Sequence, residues 1–174
     1  MNIKSSRLTI TTFSMDMAQS VYENSQDEDT RRFVSDEVYD SVEDAREAID
    51  FLMSRYNSAD GPFVYPIITN DGGKNIGYVQ LCKLELEEEE TWEIGYHIAK
   101  SFTGKGYATE AVKAFLTAMA QKLNLKEVYG ICLAENLASV RVLEKCGFIQ
   151  VYKGIGNYQG KEAQIFKAIW KNYN

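Results

Sequence analysis

The chain is poor in the side chains that most often carry metal or nucleophile chemistry. Its 174 residues include one histidine, His97, and three cysteines, Cys82, Cys132 and Cys146. A single histidine excludes a histidine pair on a metal and leaves a Ser–His–Asp relay little to work with. The cysteines are odd in number and form no CxxC pair, which fits reduced thiols in apolar settings. Basic charge is short as well. Nineteen Lys and Arg stand against 25 Asp and Glu, a formal charge of −6, whereas a nucleic-acid backbone calls for a basic face. The acidic balance suits a cationic substrate or solubility alone. No apolar run is long enough to span a bilayer, and "MNIKSSRLTITTF" lacks the apolar centre of a secretion signal. The expectations are no nucleic-acid partner, no membrane, no metal and a cytoplasmic location.

Hydrophobic residues at 45% and charged residues at 25% describe ordinary globular composition. One domain over residues 1–174 is expected, because domains commonly run to about 100–200 residues. A chain of this length buries enough apolar surface to do without disulfides or a structural metal.

Hydrophobic periodicity predicts strands at Arg7–Thr12, Phe63–Thr69, Ile76–Leu86, Thr91–Ala99, Lys126–Ala134, Ile149–Ile155 and Ala163–Trp170. It predicts helices over Asp16–Glu23 and after Ser41, where Asp44 completes a weak capping box. Two more helices follow, one carrying Ala108, Ala111, Val112, Phe115, Leu116 and Met119 on one face, the other running from Asn136 to a stop at Gly147. "NDGG" at Asn70–Gly73 is a hairpin turn, and Glu87–Glu90 reads as a charged hairpin tip that could attract a cationic substrate. The sum is mixed α/β on one sheet.

Two of only 12 glycines, Gly104 and Gly106, fall in "SFTGKGYATEA" at the threshold of the long helix. A helix begins with about four unpaired amides and partial positive charge, and small residues let an anion approach them. A glycine kept only for positive φ in a strand-to-helix turn explains the same residues. The Walker pattern fails because Tyr107 follows Gly106, and the dinucleotide fingerprint fails at Thr109.

Five pieces in order, "RLTI", "IGYVQL", "WEIGYHI", "GKGYATEA" and "ENLASVRVLEKCGF", span nearly the whole chain. In this the sequence resembles the GNAT superfamily of acyl-CoA-dependent N-acyltransferases, and within it the branch of RimJ/RimL-type ribosomal-protein N-terminal acetyltransferases. The resemblance implies a mostly antiparallel sheet with a central splayed parallel strand pair, flanked by helices. It implies acetyl-CoA as co-substrate, its pyrophosphate wrapped by the amides of Thr103, Gly104, Lys105, Gly106, Tyr107, Ala108 and Thr109. Thr103 stands where the family usually has Gln or Arg. The acetyl-pantetheine arm would lie along the backbone from Ile94 through Tyr96 to Ile98, and Asn136 would contact that arm as well as capping its helix.

The resemblance implies Glu93 as the general base, acting through water, since related transferases place a glutamate at this point of the strand; a solvated edge carboxylate is the plain alternative. The resemblance implies Ser139 as the acid for the leaving thiolate, since it matches the serine that the ribosomal-protein branch offers near the coenzyme sulfur; an ordinary first-turn serine is the plain alternative, and Leu143 stands where many members have a tyrosine. His97 reads as a packing or hydrogen-bonded residue. The branch's acid in the last hairpin has no counterpart near Asn157 and Tyr158. Phe33, Tyr39 and Tyr65 could line the acceptor pocket or simply pack. Ala111, Val112, Phe115, Val140 and Cys146 read as core.

The resulting expectation is an N-acetyltransferase acting on a primary amine, either a peptide N-terminus or a small molecule, by direct attack in a ternary complex, as monomer or homodimer. A non-catalytic acyl-CoA-binding sensor or docking module is the alternative.

Overall fold

β-Branched and aromatic runs build an eight-stranded sheet in the computed structural model, which describes residues 1–86 and 89–173 and the side chains outside 85–90. The strands are β1 (Asn2–Lys4), β2 (Leu8–Thr11), β3 (Phe63–Thr69), β4 (Asn75–Leu86), β5 (Glu89–Ile98), β6 (Glu127–Leu133), β7 (Ile149–Tyr158) and β8 (Lys161–Lys171). Their order across the sheet is β1-β2-β3-β4-β5-β6-β8-β7. Every neighbouring pair is antiparallel except β5 and β6. Glu87 and Glu88, with the side chains of Glu89 and Glu90, lie outside the described residues, and so does the expected acidic tip.

The helices are α1 (Ala18–Ser25), α2 (Glu28–Phe33), α3 (Val42–Arg55), α4 (Tyr107–Leu123) and α5 (Leu137–Lys145). On α4, Ala111, Val112, Phe115, Leu116 and Met119 are almost wholly buried against Leu8, Ile10, Phe63, Tyr65 and Ile67. The opposite face carries α1 and α3, where Ala18 and Ile49 pack on Phe13 and Val64. With both faces covered, β3 is apolar almost throughout instead of alternating. Caps sit where expected: Ser41 Oγ accepts from the Asp44 amide, and Gly147 follows α5 at φ +88°.

Two expectations need correction, and one open alternative is resolved. β1, a three-residue edge strand, was not foreseen, and the stretch read as plain polar chain contains α2. Tyr65 is core, 1% exposed, stacked on Tyr56 and tilted against Phe115, so it lines no pocket. No helix of the described residues is long and apolar enough to cross a membrane.

Candidate active site

α4 starts without a side-chain cap. Its N-cap is Gly106, at φ +80°, and Gly104 two residues earlier is at φ +75°. Both conformations favour glycine, and a Cβ on Gly104 would meet nothing within 4 Å. The turn therefore needs glycine for its shape, and the shape leaves open space ahead of the backbone. The first main-chain hydrogen bond of the helix runs from the Glu110 amide to the Gly106 carbonyl, 3.1 Å. Among the described residues, the six amides from Gly104 to Thr109 donate to no protein group. Gly104 to Gly106 are exposed and Tyr107 to Thr109 half-buried, so these donors are open to a ligand, and six of them at one helix mouth fit an anion such as a diphosphate.

The turn is held from behind by Arg7. Its Nη1 donates to the Lys105 carbonyl at 2.9 Å and its Nε to Glu110 Oε2 at 2.7 Å, while the guanidinium lies 4.5 Å over the Tyr107 ring. The Arg7 amide and Ser5 Oγ both donate to Glu110 Oε1 at 2.8 Å. Burial opposes the Glu110 charge, yet these donors hold its carboxyl below the ordinary range. The one acid in the first turn of α4 is thus turned away from the free amides.

β5 and β6 part beside this mouth. Their register holds a single pair, Glu93 with Tyr129. Beyond it β5 remains paired to β4 from Ile94 to Ile98, so its other edge opens onto the gap. The cleft that runs through this split has a volume of about 740 Å³. Tyr96 and Ser139 span it. The Tyr96 hydroxyl donates to the Ser139 carbonyl at 2.9 Å and accepts from Ser139 Oγ at 3.1 Å. Burial keeps Tyr96 neutral, well above the usual phenol range. Asn136 Oδ1 accepts from the Ser139 amide at 3.1 Å and so caps α5.

Asp29, Asp36, Glu37 and Glu93 also line the cleft and give it an acidic chamber. Glu93 faces it from β5, its carboxyl pushed up to about 7 by burial, with Lys167 opposing the shift. Glu37, in the short turn Ser35–Glu37, is pushed up to about 8 by burial and by Asp36. The chamber is ringed by α2 and the tip of the β7–β8 hairpin: Tyr158 donates to the Phe33 carbonyl at 2.8 Å, and Gln159 Nε2 to Asp36 Oδ1 at 2.6 Å. Cys82 and Cys132 also line the cleft, and burial raises each thiol to about 12, which keeps them protonated and poor nucleophiles.

Of the site residues expected from sequence, the cleft is lined by Glu93, Ile94, Tyr96, Ile98, Thr103, Gly104, Gly106, Tyr107, Ala108, Thr109, Asn136 and Ser139, and His97, Asn157 and Tyr158 line it as well. Lys105 is not among them. Its ammonium turns to the Ser101 carbonyl at 3.2 Å and to the Phe102 ring. His97 is held at 2.7 Å by Thr30 Oγ1 near Asp27, and burial lowers its pKa, as a packed hydrogen-bonded histidine requires. Leu143 also lines the cleft, buried against Gly130, and its hydrocarbon side chain has no proton to give. Phe33 lines the chamber, and Tyr39 does not.

Sequence reasoning missed Arg7, Glu37, Arg141 and Lys145. The last two, four residues apart on α5, line the cleft and were legible as one helix face. Glu37 carried no such mark.

The acetyltransferase (GNAT) domain model matches residues 7–149. The uncharacterized N-acetyltransferase YnaD of Bacillus subtilis (strain 168) is 31% identical over 147 residues, 84% of this chain and 82% of that protein. A GNAT-family acetyltransferase structure from Bacillus anthracis superposes with a TM-score of 0.82 at 24% identity, covering 98% of each chain. RimL, a ribosomal L7/L12 α-N-protein acetyltransferase solved in complex with coenzyme A, gives 0.80 at 15% identity, again over 98% of each.

Proposed function

The chain belongs to the GNAT acetyltransferase family and is an N-acetyltransferase, and from that premise we propose that it moves an acetyl group from acetyl-CoA directly to a primary amine within a ternary complex. The observation that carries this reading is the run of six unpartnered amides, Gly104 to Thr109, beside the parted strands β5 and β6. The amides would hold the coenzyme's diphosphate, with Arg141 and Lys145 adding positive charge from α5. Asn136 and the open edge of β5 would orient the pantetheine arm, and the thioester brings the activated acetyl group when it is bound.

The acceptor nitrogen must reach the acetyl carbon without its extra proton. Glu93, with a pKa near 7, is suited to accept a proton from that nitrogen through water. The N–C bond forms as the C–S bond breaks, and the sulfur leaves as a thiolate. Ser139 Oγ, whose hydrogen lies toward Tyr96 in the free protein, would turn it to that sulfur and take the Tyr96 proton in exchange, and the proton drawn from the amine returns to Tyr96 through solvent. Raised thiol pKa values at Cys82 and Cys132 argue against an acyl-enzyme. Three free thiols also favour a reducing compartment, the cytoplasm.

Thiol release from acetyl-CoA is the test, run over a panel of small amines, aminoglycosides and peptides with free N-termini. Release that depends on an amine supports the transferase. Tight coenzyme binding with no release over the panel would leave the non-catalytic binding module.

A further inference from the structure

One wall of the cleft is attached to the rest of the molecule by polar contacts. Residues 26–40 carry α2 and the turn Ser35–Glu37, and from them Asp29, Phe33, Val34, Asp36 and Glu37 line the cleft. Among the described residues, none of their side chains enters either apolar cluster. The one buried side chain of α2 is polar: Thr30, 2% exposed. A wall without an apolar anchor opens by breaking hydrogen bonds, so the best-shielded of these sets its seat. Several are exposed. Arg32 meets Glu135 at 3.0 Å with both side chains more than half exposed, Lys100 pairs with Asp29 at the surface, and Gln159 reaches Asp36 from the hairpin tip. Ion pairs so exposed contribute little. Tyr158 binds the Phe33 carbonyl at the far end of the helix.

The shielded contact lies at the near end, on β5. The side chains of His97 and Asp27 are 10% and 18% exposed. Thr30 Oγ1 stands 2.7 Å from His97 Nε2 and 2.9 Å from Asp27 Oδ1. A hydroxyl has one hydrogen to give, and an ionised carboxylate can only accept. The Thr30 hydrogen therefore goes to Asp27, and His97 Nε2 donates to Thr30. Asp27 also accepts from the Thr30 amide at 2.8 Å and from the Lys100 amide at 3.1 Å, so the chain ends on a carboxylate fixed by α2 and by the turn after β5. His97 itself has little freedom. It stands opposite Tyr78 in the β4–β5 register, its ring stacked at 5.8 Å on that tyrosine, which packs on the apolar cluster of Phe13 and Ile49.

We propose that His97 is a positioning residue: through Thr30 it seats α2, and with α2 the wall of the acceptor space, against the strand that carries Glu93. Its bearing on the acceptor rests on the transferase reading above, while the seating itself does not. The seat uses none of the amides from Gly104 to Thr109. Its loss should therefore raise the KM of the acceptor and spare coenzyme affinity.

Trypsin reads the seat directly, because Arg31 and Arg32 lie exposed on α2. His97→Phe keeps a ring beside Tyr78 and removes the donor, Thr30→Val keeps the shape and removes the hydroxyl, and His97→Gln restores a donor. Cleavage after the two arginines, read by mass spectrometry, should speed up about tenfold in His97→Phe and in Thr30→Val, as expected for a lost bond in a chain that ends on a carboxylate. His97→Gln should regain much of the protection. The double variant should cleave about as fast as Thr30→Val alone, since both changes break one link. Thr30 lies outside both apolar clusters, so Thr30→Val decides alone if His97→Phe folds poorly. Thiol release, over an amine panel headed by butylamine and an alanine-first tripeptide, should show a similar rise in acceptor KM. The kcat, and coenzyme A affinity by calorimetry, should stay within about twofold of the wild type. Unchanged cleavage at Arg31 and Arg32 in Thr30→Val overturns the seat. Faster cleavage along the whole chain with a matching loss of coenzyme affinity overturns it too, as the mark of a general packing defect. Faster local cleavage with acceptor KM unmoved overturns the positioning role. If no amine of the panel releases thiol, the transferase reading fails, and the trypsin arm still decides the seat.

Discussion

At the α4 end of the cleft, positive character comes from six main-chain amides, with Arg141 and Lys145 on α5 nearby. At the other end, negative character comes from Asp36, Glu37 and Glu93. The first set is fixed by backbone conformation, two glycines at positive φ and a helix without a cap. No titration turns it off, and few side-chain changes reach it. The second set depends on how deeply carboxyls are buried, and its pKa values of about 7 and 8 place it within reach of ordinary pH changes. One end is built for constant affinity and the other for response.

The sharpest way to break the first end is Gly106→Glu. It forces a side chain into a left-handed backbone position and sets a carboxylate among the free amides, so coenzyme A affinity should fall by more than ~100-fold in calorimetry. At the other end, Glu93→Gln should lower kcat/KM by about 10²–10⁴-fold. It should also erase the pH limb: in the wild type, activity rises through about pH 7 as the raised Glu93 carboxyl ionises.

Ser139→Ala should cost roughly tenfold in kcat, and a loss under about threefold would reduce Ser139 to a helix-start residue. Arg7→Ala should weaken coenzyme binding by about tenfold with a smaller change in kcat, and Arg7→Lys should recover part, because Arg7 holds the turn without lining the cleft. The smallest effect expected is thermal. The folded Glu37 pKa, about 8, lies above the ordinary carboxylate value, so between those two pH values the folded state holds a proton that the unfolded chain has lost. Stability from this group therefore falls as pH rises through that window. Glu37→Gln should raise Tm by a few degrees at pH 9, by about 2–4 °C per kcal/mol for a chain of this size, and much less at pH 5.

The same contrast explains what could be read from the amino acids. α4 and α5 announce themselves through periodicity and through Gly106, Asn136 and Gly147 at their ends, because caps are local chemistry. α2 escaped notice because its six residues, "EDTRRF", offer no apolar stripe, although Asp27 caps it by accepting from the Thr30 amide. Arg7 and Glu110 are 103 residues apart, and Tyr96 and Ser139 are 43 apart, so neither pairing has a sequence mark. Glu37 looks like any acid in a polar stretch. Only its enclosure beside Gln80 makes it different, and enclosure is a property of the assembled sheet. Tyr65 is the opposite case: of the two readings open to it, pocket or packing, the core claims it because β3 is covered on both faces.

The account depends most on main-chain donors at the mouth of α4. Hydrogen–deuterium exchange with and without acetyl-CoA reads those donors directly. Slower exchange concentrated in residues 104–109 on binding is the predicted result. Unchanged exchange there, with protection appearing elsewhere, would contradict it.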